Sequence, residues 1–343
     1  MSPKRKWIWI SCALLFAIGG CNIIKQPAQP IRATTVYIVN GTLGSASLPG
    51  YLAANLPAMR QIGFTAVYLP AVWADFDPSP IGGQFNAVAF ANAKMALDQI
   101  SAAGMKAWVG LNYVGVGYAP DFGVLMPKDK ACDWARIPEV YASFERYVVE
   151  ALNQYRLYKD ILQFMVFTEG AEGCGLATPE AAPSVALFLQ TTLGSLPTRI
   201  PPEIRRLWKI GYHDYSIVNL GWGNGVGPIA TPNPFDFVSM VAYNTSDPIE
   251  LDARAGRFKA LYSTPLVVGE AGANGCPGAN PPQDVADSQL VSWALSRGYG
   301  FNIWGWPNAG AAECTNPVYG GYALTDQNGV PNAAAVAISK VLN

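Results

Sequence analysis

Eight short apolar runs alternate with helix-length segments along this chain, and that alternation constrains its fold more than any other feature. The runs are rich in β-branched and aromatic residues and cover 34–40, 64–73, 105–113, 161–169, 208–214, 235–244, 265–270 and 299–306. Helical patterns lie between them at 51–62, 86–103, 137–158, 179–195, 250–262 and 283–297, and a last one covers 331–342. Short continuous apolar runs are typical of parallel strands buried on both faces. The sequence therefore predicts repeated β/α units.

Eight such units within 34–343, with no long linker, predict a single (β/α)₈ TIM barrel. Gly63, Gly104 and Gly298 directly precede strands, where glycine supplies the left-handed cap of the preceding helix. The segment 196–206 is predicted as a connection, and 216–234 lacks a helical pattern, which makes the fifth unit irregular. An open doubly wound sheet is the alternative. Its Gly-rich phosphate loop is not found at 40–47, which reads NGTLGSAS.

The N-terminus has the pattern of an export signal. Lys4, Arg5 and Lys6 precede an apolar stretch that ends at Gly20 and is too short to span a bilayer. The sequence Ile18 to Cys21 resembles a bacterial lipobox, which implies a signal peptide over 1–20, lipidation of Cys21 and a tether over 21–33. An ordinary secretory signal is the alternative. We expect a lipoprotein of the bacterial cell envelope, anchored to a membrane on the periplasmic or outer surface.

Cysteine usage agrees with export. Besides Cys12 in the signal and Cys21, four cysteines remain, an even number that suggests two disulfides in an oxidising compartment. Each follows a different predicted strand, and neighbouring βα loops lie side by side on a barrel. We therefore predict the pairs Cys132–Cys174 and Cys276–Cys314.

Composition excludes several classes of function. The 23 basic residues nearly balance 24 acidic ones, and no basic run of three lies outside the first six residues, so a nucleic-acid partner is not expected. One histidine and unsuitable cysteine spacings predict no metal site. A Schiff-base barrel needs a lysine where a strand ends, whereas Lys209 begins one. No GxSxG nucleophile elbow is found. We expect no cofactor and a monomeric protein.

The C-terminal strand ends carry the chemistry of barrel enzymes. Two of the apolar runs end directly in a glutamate, Glu169 after the fourth strand and Glu270 on the seventh. Two carboxyls that face each other across a barrel end can cleave a glycosidic bond, since one protonates the leaving oxygen while the other attacks the sugar carbon. Structural ion pairing is the alternative for Glu169, with Glu172 as the working acid. Asp75 and Asp77 are interpreted as loop acids.

This layout resembles the clan of retaining glycoside hydrolases whose acid/base glutamate follows strand four and whose nucleophile follows strand seven. The resemblance implies that Glu169 is the acid/base and Glu270 the nucleophile, that Tyr243 contacts the nucleophile, and that Trp304 forms an aromatic sugar platform. Candidate substrate-binding residues at the strand ends are Tyr243, Trp304, Trp306, His213, Asn112 and Trp73. Trp304 and Trp306 are expected to share one face of strand eight.

The sequence departs from that clan at several positions. Thr168 stands where the clan has an asparagine that holds the sugar 2-hydroxyl, and the ends of strands two and three lack the usual arginine and histidine. The resemblance therefore implies a glycosidase acting on a carbohydrate but not which sugar or linkage. The altered Thr168 favours a second hypothesis, a lipid-anchored carbohydrate-binding or assembly protein with a catalytically impaired barrel.

Overall fold

The protein folds as a closed (β/α)₈ barrel. The computed structural model describes residues 30–36, 43–79, 81, 83–111, 120–123, 137–167, 196–213, 234–306, 321–326 and 328–343, with 163–167 described by backbone alone. The strands are β1 Arg32–Thr35, β2 Ala66–Pro70, β3 Lys106–Gly110, β4 Leu162–Phe167, β5 Ile210–His213, β6 Phe237–Tyr243, β7 Leu266–Gly272 and β8 Phe301–Ile303. Each pairs in parallel with the next, and β1 pairs with β8, which closes the barrel and confirms the predicted fold.

The described helices surround this barrel. They are α1 Leu48–Ile62, α2 Trp73–Phe76, α3 Ala87–Ala102, α4 Pro138–Gln154, α5 Leu196–Arg199, α6 Pro202–Arg205, α7 Pro248–Leu261, α8 Gln283–Ser296 and α9 Ala333–Leu342, and a 3₁₀ turn covers Arg156–Tyr158. Gly63, Gly104 and Gly298 have φ of 109°, 68° and 70°. Each therefore adopts the left-handed conformation predicted for the αβ corners, which few residues besides glycine tolerate.

Several boundaries differ from the sequence prediction. The second strand ends at Pro70, and Trp73 begins the short helix α2 instead of ending a strand. The eighth strand ends at Ile303, before Trp304. The segment 196–206, predicted as a connection, contains α5 and α6, because proline suits the first turn of a helix, where its missing N–H is not needed. The predicted helix over 179–195 and the irregular stretch 216–234 lie largely or wholly outside the described residues.

Two apolar clusters lie on opposite sides of the barrel wall. The larger one packs the outward side chains of the strands, such as Val67, Val109 and Val268, against the helices. The smaller cluster fills the N-terminal half of the barrel interior. Its members are Ala33, Ala66, Tyr68, Trp108 and Phe237, with Ile31 and Val267 packed against them. A barrel interior filled in this way is a core and not a channel.

The export signal and most of the tether lie outside the described residues, so lipidation of Cys21 stays a prediction. Among the residues that the structure describes, no helix is long and apolar enough to cross a membrane.

Candidate active site

An irregularity in β7 turns Glu270 into the barrel. Val268 pairs with Phe301 and Ala271 with Ile303, so three steps along β7 oppose two along β8. The register against β6 shifts at the same place. Val268 and Ala271 both pack in the outer cluster, three positions apart, although side chains of a regular strand alternate between faces. This is the geometry of a β-bulge, which re-aims a side chain. Because of the extra residue, Glu270 pairs with Val241 and lies on the face of the sheet that carries Tyr243.

Polar side chains inside the barrel support this bulge. The bulge interrupts the regular hydrogen bonding between strands at Gly269. The side-chain amide of Asn302 donates to the carbonyl oxygen of Gly269 at 2.8 Å. Asn302 also donates to Thr35 Oγ1 at 2.9 Å, and both side chains are fully buried. A Cβ at Gly269 would lie 1.8 Å from Ser239 Oγ, so only glycine fits there. The bulge is therefore specified by its neighbours in the barrel interior.

His213 belongs to the same buried layer. Its Nδ1 lies 2.8 Å from Ser239 Oγ, and its side chain is buried at the end of β5. Burial lowers the pKa of His213 to about 3, so the ring is neutral at physiological pH. The predicted role of His213 in lining the substrate site stays a prediction. Its described position is next to Gly269, within the interior layer that supports the nucleophile candidate.

Glu270 accepts a hydrogen bond from a tyrosine. The carboxyl is 3% exposed, and the Tyr243 hydroxyl donates to Glu270 Oε2 at 3.3 Å. The clan resemblance implied that Tyr243 contacts the nucleophile; the structure places its hydroxyl in contact with Glu270, and the nucleophile role of Glu270 stays a prediction. A donor aimed at a buried carboxyl stabilises its ionised form. The pair lies at the C-terminal end of the barrel, where barrel enzymes have their active sites.

A second set of contacts, which the sequence analysis missed, positions Tyr243. The ring of Tyr322 meets that of Tyr243 edge to face, with centroids 5.4 Å apart. Asn244, with φ of 53°, donates to the Tyr322 hydroxyl at 2.7 Å and accepts from the backbone N–H of Asn274 at 3.1 Å. Asparagine tolerates this left-handed conformation better than most residues. An asparagine directly after a strand was the available sequence signal.

Two predicted tryptophans do not line the site. Trp73 is fully buried against Phe122, Phe144 and Tyr147, in the core outside the barrel. Trp306 is fully buried too, and its Nε1 donates to Asn55 of α1 at 3.1 Å. The expectation that both bind substrate is wrong, because neither presents a surface to a ligand. The expectation that Trp304 and Trp306 share one face of strand eight is wrong, since β8 ends before either residue.

Trp304 remains at the barrel end. It follows β8 directly, is partly exposed, and its backbone N–H donates to the carbonyl of Ala271 at 2.7 Å. Its peptide bond to Gly305 is cis. This position beside the end of β7 is compatible with the predicted aromatic platform, and that role stays a prediction.

Other predicted site residues lie outside the described part of the chain. These are Glu169, Glu172, Thr168, Asn112 and Tyr113. The described part of β4 ends at Phe167, two residues before Glu169 in sequence, and Phe167 pairs with His213. Among the described residues, no group of three or more His, Cys, Asp or Glu side chains could hold a metal ion.

The predicted disulfides are described in part. Cys276, in the loop after β7, is disulfide-bonded. The other cysteines, Cys132, Cys174 and Cys314 among them, lie outside the described residues, so both predicted pairings stay predictions.

Asp287 is a buried acid that the sequence analysis did not single out. It lies on α8, is fully buried, and its Oδ1 accepts from the backbone N–H of Ala273, directly after β7, at 2.8 Å. Burial is the largest cause that raises the pKa of Asp287 to about 8, and hydrogen bonds from Ala273 and Gln283 oppose the shift. The group is therefore mostly protonated at neutral pH, and it ties α8 to the end of the strand that carries Glu270.

Comparison with known proteins supports the fold. No protein-family model matches the sequence, and no curated protein does. Among solved structures, the chain is similar to an exo-beta-1,4-mannosidase from Opitutaceae bacterium strain TAV5, with a TM-score of 0.64 and 15% identity over 91% of this chain and 59% of the mannosidase. The chain thus spans less than two thirds of that protein's length.

Two further structures are similar over more of their own length. A GH5_18 protein from Streptomyces cattleya, solved with GlcNAc, has a TM-score of 0.65 and 12% identity over 92% of this chain and 80% of its own. A GH5-4 broad specificity endoglucanase from Bacteroides salanitronis has a TM-score of 0.62 and 14% identity over 84% of both chains. At these identities the likeness shows the shared barrel fold, and the neighbours are glycoside hydrolases, as the sequence resemblance implied.

We predict that Gly269→Ala disrupts the site. The added methyl group would collide with Ser239 Oγ, so the bulge must shift and Glu270 must move with it. Overpacking of this kind costs about 1–3 kcal/mol in the free energy of unfolding. Gly256→Ala on α7 is the matched control, since a Cβ there meets nothing within 4 Å, and this change should stabilise by up to about 1 kcal/mol. Denaturant unfolding measures both, and equal stability of the two variants would contradict the account of the bulge.

We predict that Asp287→Asn changes how stability depends on pH. The folded-state pKa is raised above that of the unfolded chain, near 3.9. Between these two values the unfolded chain releases a proton that the folded protein retains, so Asp287 makes the protein progressively less stable from about pH 4 to pH 8. Asparagine keeps the Ala273 contact and does not ionise. The stability gained by the variant should be near zero at pH 4 and exceed about 1 kcal/mol at pH 8. A gain that does not vary with pH would contradict this assignment.

Proposed function

We propose that this protein is a retaining glycoside hydrolase that acts on a surface or periplasmic glycan. The observation that carries the proposal is the position of Glu270, which a β-bulge turns into the C-terminal end of a closed barrel and to which Tyr243 donates a hydrogen bond. Burial of a carboxyl costs free energy, and a buried acid at this end of a barrel is therefore a candidate functional group. The fold shared with glycoside hydrolases supports the same conclusion.

The proposed chemistry is a double displacement. Glu270 attacks the anomeric carbon, and the bond to the leaving oxygen breaks as Glu169 donates a proton to that oxygen. Glu169, now ionised, removes a proton from water, whose oxygen attacks the covalent glycosyl intermediate and releases Glu270. Tyr243 donates to the Glu270 carboxyl and orients it before attack. Retention requires the two carboxyl groups to lie about 5 Å apart.

The proposed location follows from the N-terminal sequence. Lipidation at Cys21 would hold the barrel at a bacterial membrane, on the periplasmic or outer surface, where envelope or imported glycans are accessible. The predicted tether over 21–33 contains two prolines, and its last two residues are the first two residues of β1, so the connection from Cys21 to the barrel is short. Trp304, partly exposed at the end of β8, is the described residue best placed to stack on a sugar ring.

The second candidate function is carbohydrate binding or assembly without turnover. The observation that favours it is Thr168, which stands directly before Glu169 where the resembling clan has asparagine. A glycan panel separates the two candidates. Hydrolysis with products resolved by mass supports the enzyme, whereas saturable binding without products supports the binding protein.

We predict that alanine at each of the two glutamates impairs turnover in a different way, measured on a substrate found in that panel. Glu270→Ala should abolish turnover, and external azide should restore a product of inverted configuration. Glu169→Ala should retain most activity on substrates with good leaving groups and lose about 100-fold or more on poor ones, which need protonation. Glu203→Gln, an exposed acid at the opposite barrel end, is the control and should match the parent. Full activity of both alanine variants would refute the assignment.

We predict that Tyr243→Phe lowers kcat by about 10- to 100-fold, because a hydrogen bond to a charged group contributes about 1.5–3 kcal/mol. Tyr322→Phe removes a hydroxyl that contacts Asn244 and not the carboxyl, so its effect should be several-fold smaller. Steady-state kinetics on both variants provide the comparison. If Tyr322→Phe has the larger effect, Tyr243 does not act on the nucleophile in the way proposed.

A further inference from the structure

The N-terminal end of the barrel, opposite the candidate active site, has a surplus of positive charge. One cavity of about 660 Å³ at this end is lined by Lys106, Lys159, Arg206 and Lys209, and all four side chains are exposed. Asp160 is the one acid in that lining, and it pairs with Lys159 at 2.7 Å. We call these four cations the basal cluster.

An exposed apolar side chain lies beside the basal cluster. Leu157, in the 3₁₀ turn before β4, is 87% exposed, the highest value among the large hydrophobic residues that the structure describes. Arg156 precedes it and lines a neighbouring cavity together with Arg206. An apolar side chain among cations is the combination found where proteins contact the interface of an anionic bilayer.

The chain enters the barrel at this same place. Pro30 and Ile31, which precede β1, line the cavity of the basal cluster. Pro30 is nine residue steps along the chain from Cys21. A fully extended chain reaches at most about 3.3–3.6 Å per residue, so a lipid on Cys21 would keep this end within about 30 Å of the bilayer surface.

We infer that the basal cluster docks on anionic phospholipid head groups, with Leu157 entering the interface and the candidate active site facing away from the membrane. This inference rests on the proposed anchoring for its tether and does not depend on the proposed chemistry. Within a Debye length of about 8–10 Å, an anionic surface attracts each nearby lysine or arginine. The short tether supplies a high local concentration, so modest attraction is enough to fix the orientation.

Two probe positions test this orientation. Leu157→Cys and Ile249→Cys place an environment-sensitive fluorophore at opposite ends of the barrel, on residues 87% and 80% exposed. Ile249 lies in the first turn of α7, directly after the end of β6. Full-length protein from the membrane fraction is returned to vesicles of phosphatidylcholine alone or with one third phosphatidylglycerol, and the labelled parent gives the background. The probe at 157 should shift to the blue only with phosphatidylglycerol, and the probe at 249 should not respond.

A charge variant separates docking from other effects. The variant in which Lys106, Lys159, Arg206 and Lys209 are all changed to glutamine should need at least 10-fold more phosphatidylglycerol for the same response at 157. Each cation contributes up to about 5-fold to the affinity for the anionic surface. No response at 157, equal responses at both positions, or an undiminished response in a variant that melts like the parent would overturn the inference. The mass of the purified protein reports lipidation of Cys21, and glycan hydrolysis is measured separately, so failure of the anchor or of the chemistry is distinguished from failure of docking.

Discussion

The bulge at Gly269 is the feature on which the candidate site depends. In a regular strand Val267 and Glu270 would lie on opposite faces, and the carboxyl would be driven into the apolar layer between barrel and helices. That placement would bury a charge without compensation, at a cost of several kcal/mol. The extra residue places Glu270 in the barrel interior beside Tyr243 instead. The bulge thus lets an apolar strand carry an acidic residue without placing its carboxyl in the apolar layer.

The interior of the barrel stabilises this bulge through groups that carry no charge. Asn302 satisfies the carbonyl that the irregular ladder exposes, and Ser239 occupies the space that glycine leaves. Because buried carbonyls without partners cost about 1–3 kcal/mol, the asparagine is as much a part of the bulge as the glycine. These contacts join β1, β6, β7 and β8. The position of one catalytic candidate is therefore determined by four strands.

The fold could be predicted from the sequence because parallel strands leave a strong signal. Runs such as PLVVGE and FDFVSMVAYN are apolar on both faces, and only a sheet covered on both sides buries them. The same argument could not place Trp73 and Trp306, since an apolar run does not show where the strand stops and a core layer begins. Both tryptophans pack behind the barrel wall. Strand periodicity alone could not predict the direction of Glu270, because strict alternation points it the wrong way; the expectation that it faces the barrel end came from the clan resemblance, and a glycine inside a strand was a usable signal of a bulge.

The neutral state of His213 completes the electrostatics of the site. A cationic imidazole beside Gly269 would place a charge in the neutral interior layer that supports the bulge, and an unpaired buried charge costs free energy. Burial lowers the pKa of His213 to about 3, so the ring supplies a polar contact to Ser239 without a charge. Within the described part of the chain, the hydroxyl of Tyr243 donates to Glu270, and this donor likewise carries no charge. Because His213 stays neutral, it can pack beside Gly269, the residue before Glu270, without placing a charge in the barrel interior.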